Sequence, residues 1–161
     1  MDRVVVAIGL GSNLGDRRAH LEFACQRLSS ILEGLRVSSV HETEPVGVPD
    51  RQPSFLNQAA VGKTRQPARD VLESMLAIEL ARGRERPRAL APRTLDLDLI
   101  LFGDAVIDER GDEGRPALRV PHPRFRERLF VLAPLAEIAP DLLDPVTGRT
   151  VAVLLSEARL R

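Results

Sequence analysis

The spacing of apolar residues changes period several times along the chain, and each change marks an element. Val4-Val5-Val6-Ala7-Ile8 is a continuous apolar run, the pattern of a strand buried on both faces. Gly9-Leu10-Gly11-Ser12-Asn13-Leu14-Gly15-Asp16 then reads as a glycine-rich turn. From about Arg17 to Leu32, Leu21, Ala24, Cys25, Leu28, Ile31 and Leu32 recur at helical spacing. Leu35–His41 and Phe55–Val61 read as strands, the second with Phe55, Asn57 and Ala59 on one face. Prolines and a glycine make the stretch between them, up to Pro53, a long loop. Pro67 and Gly83 bracket a second helix with Val71, Leu72, Met75, Leu76 and Ile78 as its apolar stripe. Arg93–Phe102 then alternates with period two. Leu95, Leu97, Leu99 and Leu101 fall on one face; Asp96, Asp98, Ile100 and Phe102 fall on the other. Gly103–Asp108 opens a hairpin whose tip, Glu109–Arg115, is charged. A helix starts near Phe125, and Val151–Leu155 belongs to a short last helix.

Strand, helix, strand, strand, helix, strand is the order of a ferredoxin-like α+β core: an antiparallel sheet backed by helices, here with a C-terminal hairpin and helices added. A length of 161 residues suits one domain spanning 1–161. The formal net charge of zero argues against nucleic acid as a partner. Cys25 is the lone cysteine, which excludes a disulfide framework and a cysteine zinc site and fits a reducing cytoplasm. No apolar run approaches the ~20 residues of a membrane span, and no signal peptide precedes the first strand, so no membrane is expected as a partner. Trp and Tyr are absent, which leaves five Phe for aromatic recognition.

The candidate chemistry centres on Asp96 and Asp98. Two residues apart on a strand, their Cα atoms lie roughly 6.5–7 Å from each other on one face. Such a pair suits Mg²⁺, which binds through one or two carboxylates and completes its octahedron with water and phosphate oxygens. Solvated aspartates on an edge strand are the plainer reading. Arg84-Glu85-Arg86-Pro87-Arg88-Ala89-Leu90-Ala91-Pro92-Arg93, leading straight into that strand, favours the metal, because arginine forks and a metal together serve polyphosphate chemistry. Glu79 is an odd acid in the last turn of its helix; a nearby cation, a metal or a surface pair with Arg82 would each explain it. His122 is held between two prolines and suits a phosphate contact, proton transfer or a cap. Arg126 and Arg128 stand in the first helical turns, where an anionic ligand would offset their cost. The glycines from Gly9 to Gly15 invite a dinucleotide reading, though their GxGxxxG spacing is a weak match.

GLGSNLGD, SFLNQA, APRTLDLDLILFG and VPHPRFRERLFVLAPLAEIAP occur in this order, and together they resemble the 6-hydroxymethyl-7,8-dihydropterin pyrophosphokinase family over nearly the whole chain. The resemblance implies transfer of pyrophosphate from ATP to the pterin hydroxymethyl group, with AMP released and two Mg²⁺ ions assisting in-line attack on the β-phosphorus. It implies that Asp96 and Asp98 hold both metals. Thr43 and Val46 would meet the pterin through their backbone, Asn57 would bond its edge, and Phe55 and Phe130 would sandwich its ring. Glu79 and Leu99 match positions near adenine, and Arg84, Arg86, Arg93, His122 and Arg128 match the phosphate side. Arg86, Arg93, Asp96 and Asp98 carry the catalytic roles, with Asp98 a candidate acceptor for the hydroxyl proton. Leu90 and Ala91 stand where the family often has tryptophan and glycine. ATP and the pterin are the expected partners of a cytoplasmic monomer, with neighbouring folate-pathway enzymes a further partner. The competing readings are a dinucleotide-binding oxidoreductase and a non-catalytic ferredoxin-like module binding RNA, which would want exposed aromatics on a basic sheet.

Overall fold

The computed structural model describes residues 2–44, 53–83 and 94–161. Chain order runs β1 (Val4–Ser12), α1 (Arg17–Leu28), β2 (Glu33–Val37), β3 (His41–Thr43), β4 (Phe55–Thr64), α2 (Ala68–Ala81) and β5 (Asp96–Phe102). These build one antiparallel sheet in the order β2-β4-β1-β5, with β3 paired to the start of β4. That is the ferredoxin-like arrangement expected. A two-stranded hairpin follows, β6 (Ile107–Glu109) with β7 (Leu118–Val120), then α3 (Leu129–Ile138) and α4 (Val151–Arg159).

Each face of the sheet has its own core. Leu21, Ala24 and Leu28 of α1 and Val71, Met75 and Ile78 of α2 pack with Val6, Ile8, Leu10, Leu97 and Leu99 on one face. Val131, Leu132 and Leu135 of α3 and Leu154, Leu155 and Ala158 of α4 pack with Ala7, Ala59, Val61, Ile100 and Leu101 on the other. The Asp16 side chain accepts the Ala19 N–H at 3.1 Å to start α1. Gly83, at φ +76°, follows the end of α2 in the left-handed conformation that favours glycine.

Several sequence expectations need correction. Gly9 and Gly11 are not in a turn: β1 runs on through them, with Gly9 between Ala59 and Asp98 and Gly11 between Asn57 and Asp96. Both neighbours of β1 are antiparallel, so no crevice of a parallel dinucleotide fold forms behind these glycines. α1 stops at Leu28, and a turn carries Leu32 back against β4, where a Cβ on Gly62 would lie 2.7 Å from that of Leu32. The expected Leu35–His41 strand divides into β2 and β3. The alternation of β5 breaks as well. Ile8 pairs with Leu99 while Ala7 pairs with Leu101, so Ile100 is an extra residue, a β-bulge. Beyond it the faces exchange: Leu101 joins the α3/α4 core and Phe102 the α1/α2 core.

Ahead of α3 lies one 3-10 turn, Phe125–Glu127, with Phe125 fully buried. Here Arg126 finds its anion within the protein. Its Nε and Nη2 donate to the two carboxylate oxygens of Asp144 at 2.5 and 2.9 Å. Asp144, fully buried, also accepts the Val146 N–H and the Thr147 hydroxyl. No ligand is needed to explain Arg126. Burial by itself would raise the Asp144 carboxyl, but the bonds from Arg126, Thr147 and Val146 bring it down to about 2. Its folded value lies below the ordinary carboxylate value, so its stabilising contribution is present above pH 4 and is lost as pH falls towards 2. Asp144→Ala strands the guanidinium and should cost about 2–4 kcal/mol in urea unfolding at pH 7, with a smaller difference from the parent at pH 3. An equal difference at both pH values would contradict the ion pair.

Candidate functional site

Directly opposed residues in an antiparallel ladder point to the same side. The register therefore lines up Asn57 on β4, Gly11 on β1 and Asp96 on β5, and one step on, Ala59, Gly9 and Asp98. Amide and carboxylates share one face, with bare glycine backbone between them. A Cβ on Gly11 would sit 3.5 Å from Asn57 Oδ1 and 4.0 Å from Phe55 Cδ1, so a longer side chain there would fill the floor beside both. Thr43 pairs with Phe55, and its Oγ1 accepts from Asn57 Nδ2 at 2.7 Å. Thr43, Phe55, Asn57, Asp96 and Asp98 are thus brought together. Asn57 is buried and both aspartates are half-buried.

Helix α3 covers the same face beyond this point, through Val131, Leu132 and Leu135. Arg128 stands at its N-cap, with its guanidinium 5.6 Å from the centroid of the Phe130 ring, and Phe130 itself is 40% exposed. His122 completes the group. Its N–H donates to the Ile100 carbonyl at 2.9 Å, which ties it to β5, and its Nδ1 accepts the Arg124 N–H at 3.1 Å. With Nδ1 an acceptor, the proton of the neutral ring belongs on Nε2. Burial, then the Arg128 charge, pushes the imidazole down to about 4 against a smaller opposing pull from Asp96. His122 is therefore an uncharged donor at neutral pH, adjacent to both Arg128 and Asp96.

Glu79 has a partner inside the protein. It is buried, and its Oε2 accepts the Leu97 N–H at 2.8 Å. Arg82 turns away, donating from Nε and Nη2 to His20 Nδ1 and stacking 4.7 Å over Phe23. Leu99 buries its side chain in the core, so it can offer a ligand only backbone. Val46, Arg84, Arg86 and Arg93 lie outside the described residues. Two buried residues escaped the sequence reading. Ser12 Oγ donates to the Thr94 carbonyl at 2.5 Å, and Asn13 Nδ2 donates to the Pro53 carbonyl at 3.3 Å. Polar residues continuing a strand that is buried on both faces were the available signal. Among the described residues no three His, Cys, Asp or Glu side chains gather as a metal cage. Two carboxylates alone do not make a tetrahedral zinc site, whereas they suit a cation such as Mg²⁺ that takes its other ligands from water and phosphate.

A family model described as 7,8-dihydro-6-hydroxymethylpterin-pyrophosphokinase (HPPK) matches residues 7–140. The chain is 40% identical over 153 residues to the 2-amino-4-hydroxy-6-hydroxymethyldihydropteridine pyrophosphokinase of Pseudomonas aeruginosa, covering 94% of this chain and 90% of that one. It is 45% identical over 146 residues to the protein of the same name from Bacillus subtilis, covering 89% and 83%. Among solved structures it is similar in fold to the HPPK-DHPS of Plasmodium falciparum, with a TM-score of 0.77 at 16% identity, over 97% of this chain and 44% of that one.

The His122 environment makes a direct prediction. Its folded value lies below the ordinary 6.5, so an unfolded chain takes up this proton first and acidification from pH 6.5 towards 4 disfavours the fold. In NMR titration of the ligand-free protein the His122 ring resonances should move with a midpoint near 4. A midpoint at or above 6.5 would contradict the buried, Arg128-facing placement.

Proposed function

The chain belongs to the 7,8-dihydro-6-hydroxymethylpterin-pyrophosphokinase family, and we propose from this that its reaction, pyrophosphate transfer from ATP to 6-hydroxymethyl-7,8-dihydropterin in folate biosynthesis, runs on the sheet face shared by Asn57, Asp96 and Asp98. The observation that carries the reading is the cross-sheet row Asn57–Gly11–Asp96. It sets an amide able to read a heterocycle edge and a carboxylate able to hold a cation on opposite sides of a strip of glycine backbone, where substrates can approach closely.

In this reading Asn57 bonds the pterin edge, while Thr43 and Val46 meet it through their backbone. Phe55 and Phe130 take the ring between them in offset stacking. Glu79 and Leu99 lie towards the adenine. Arg84, Arg86, Arg93, His122 and Arg128 face the phosphates, the arginines as forked donors and His122 through the proton of Nε2. The pterin hydroxyl oxygen forms the new bond to the β-phosphorus in line with the breaking bond to the α-phosphate oxygen, and AMP departs. Asp98 is the candidate acceptor of the hydroxyl proton. Asp96 and Asp98 would hold two Mg²⁺ ions, which would supply positive charge against the negative charge that develops on the phosphates. The protein's own contribution is positioning and electrostatics, because none of these side chains is a strong base. The reading places the protein in the cytoplasm as a monomer. The lone free Cys25 suits a reducing compartment, and among the described residues no helix is long and apolar enough to cross a membrane. The solved HPPK-DHPS chain, of which this chain covers 44%, supports a neighbouring folate-pathway enzyme as a partner.

Asp96→Ala and Asp98→Ala should each lower pterin-dependent AMP formation by at least ~100-fold, the scale of losing an electrostatic stabiliser. Asn57→Ala should instead act mainly on the KM for pterin. AMP formation near the parent rate in both aspartate variants would overturn the assignment.

A further inference from the structure

We infer that Arg17, on the opposite face of the sheet from the substrates, is a positioning residue for the pterin, holding together the two backbone segments that carry Thr43 and Phe55. The inference rests on the pterin placement proposed above. The β3–β4 ladder ends at the pair Thr43–Phe55, the two residues assigned to the pterin at this edge. Glu42 and Ser54 stand one residue before each of them. Because side chains alternate along a strand, Glu42 and its partner Leu56 point to the α1 side, and Leu56 lies in the α1/α2 core.

On that side a single nitrogen, Arg17 Nη1, gathers both segments. It donates to the Ser54 carbonyl at 2.7 Å, to Ser54 Oγ at 3.0 Å and to Glu42 Oε2 at 3.3 Å. Ser54 Oγ in turn donates to Glu42 Oε2 at 2.5 Å. The Ser54 hydroxyl and Arg17 hold the Glu42 carboxyl below the ordinary carboxylate value, so the clamp is ionised at neutral pH. An exposed ion pair alone does little for stability. The geometry, however, closes a triangle where the β3–β4 ladder, among the described residues, ends at Thr43–Phe55. Arg17 is the first residue of α1, anchored by the Asp16 cap, so the clamp is referred to a rigid helix. Phe55 is also held by β4 and its pairing with β1, and Thr43 by the three-residue β3 and the bond from Asn57, so Arg17 acts on the spacing between the two segments rather than on either alone. Loosening there misplaces a backbone contact and one face of the aromatic sandwich. ATP, on the β5 side, is left alone.

The test is steady-state kinetics of Arg17→Met, Arg17→Lys, Glu42→Gln and Asn57→Ala, with pterin and ATP varied separately and Tm recorded. Arg17→Met should raise the KM for pterin about tenfold, leave the KM for ATP within about twofold and move Tm little, because misplacement of binding groups is felt by the ligand they serve. Arg17→Lys, which can still reach the Ser54 carbonyl with one donor, should recover part of the loss. An unchanged pterin KM in Arg17→Met, or an equal rise in both KM values, overturns the inference. If Arg17→Met does not fold, Glu42→Gln and Ser54→Ala decide: a pterin-selective rise in either supports it, and unchanged values in both overturn it. Asn57→Ala separates the two layers. If its pterin KM is unchanged, the pterin placement fails and the inference with it. If that KM rises while Arg17→Met stays normal, the inference alone fails.

Discussion

The site depends on the register of β1 between β4 and β5. Side-chain period in a strand is two, so a slip of one residue in either ladder would turn Asn57 or the aspartate pair to the helix α1/α2 side. The register is held by burial on both faces. Val6, Ile8 and Leu10 point into the core under α1 and α2, and Ala7 points into the core under α3 and α4. A strand packed on both sides has no freedom to slide. The same constraint that folds the protein therefore places an amide and two carboxylates on one face with glycine between them.

The bulge at Ile100 follows from the same demand. Asp96 and Asp98 must share a face with Ile100, which packs against Gly9, where a Cβ would lie 3.5 Å from Ile100 Cδ1. Past that point the strand serves two cores at once, and the extra residue lets adjacent residues Ile100 and Leu101 both face α3 and α4. The bulge leaves the functional half of β5 regular and takes up the change of face beyond it. Around this core, polar side chains fasten the chain near the site: Ser12 to Thr94, Asn13 to Pro53, Glu79 to Leu97 and Arg17 to Ser54. Three of the four come from the end of β1 and the start of α1, which makes that corner the mechanical base of the site.

The parts legible in the sequence were those written as local periods. Asp96 and Asp98 announced themselves by alternation, the second helix by its bracketing Pro67 and Gly83, and the ferredoxin-like order by the succession of periods. What escaped depends on contacts across the chain. Glycine is equally at home in a turn and in a strand with a crowded neighbour, so only pairing with Asp98 and Asp96 distinguishes the strand for Gly9 and Gly11. A bulge is a property of two strands and leaves no mark on one. The anion that neutralises Arg126 comes from Asp144, on a later loop, so a helix-terminal cation looked like a ligand site. Glu79, anomalous by its place in the helix, has a partner in the Leu97 backbone N–H, which no side-chain pattern records.

The most direct test of the account is a crystal structure with 6-hydroxymethyl-7,8-dihydropterin, Mg²⁺ and a non-hydrolysable ATP analogue. The account predicts the pterin edge on Asn57, the ring between Phe55 and Phe130, and the metal ions on Asp96 and Asp98, all over the glycine strip of β1. Ligands bound on the α1/α2 side of the sheet, or metal ions held without either aspartate, would contradict it.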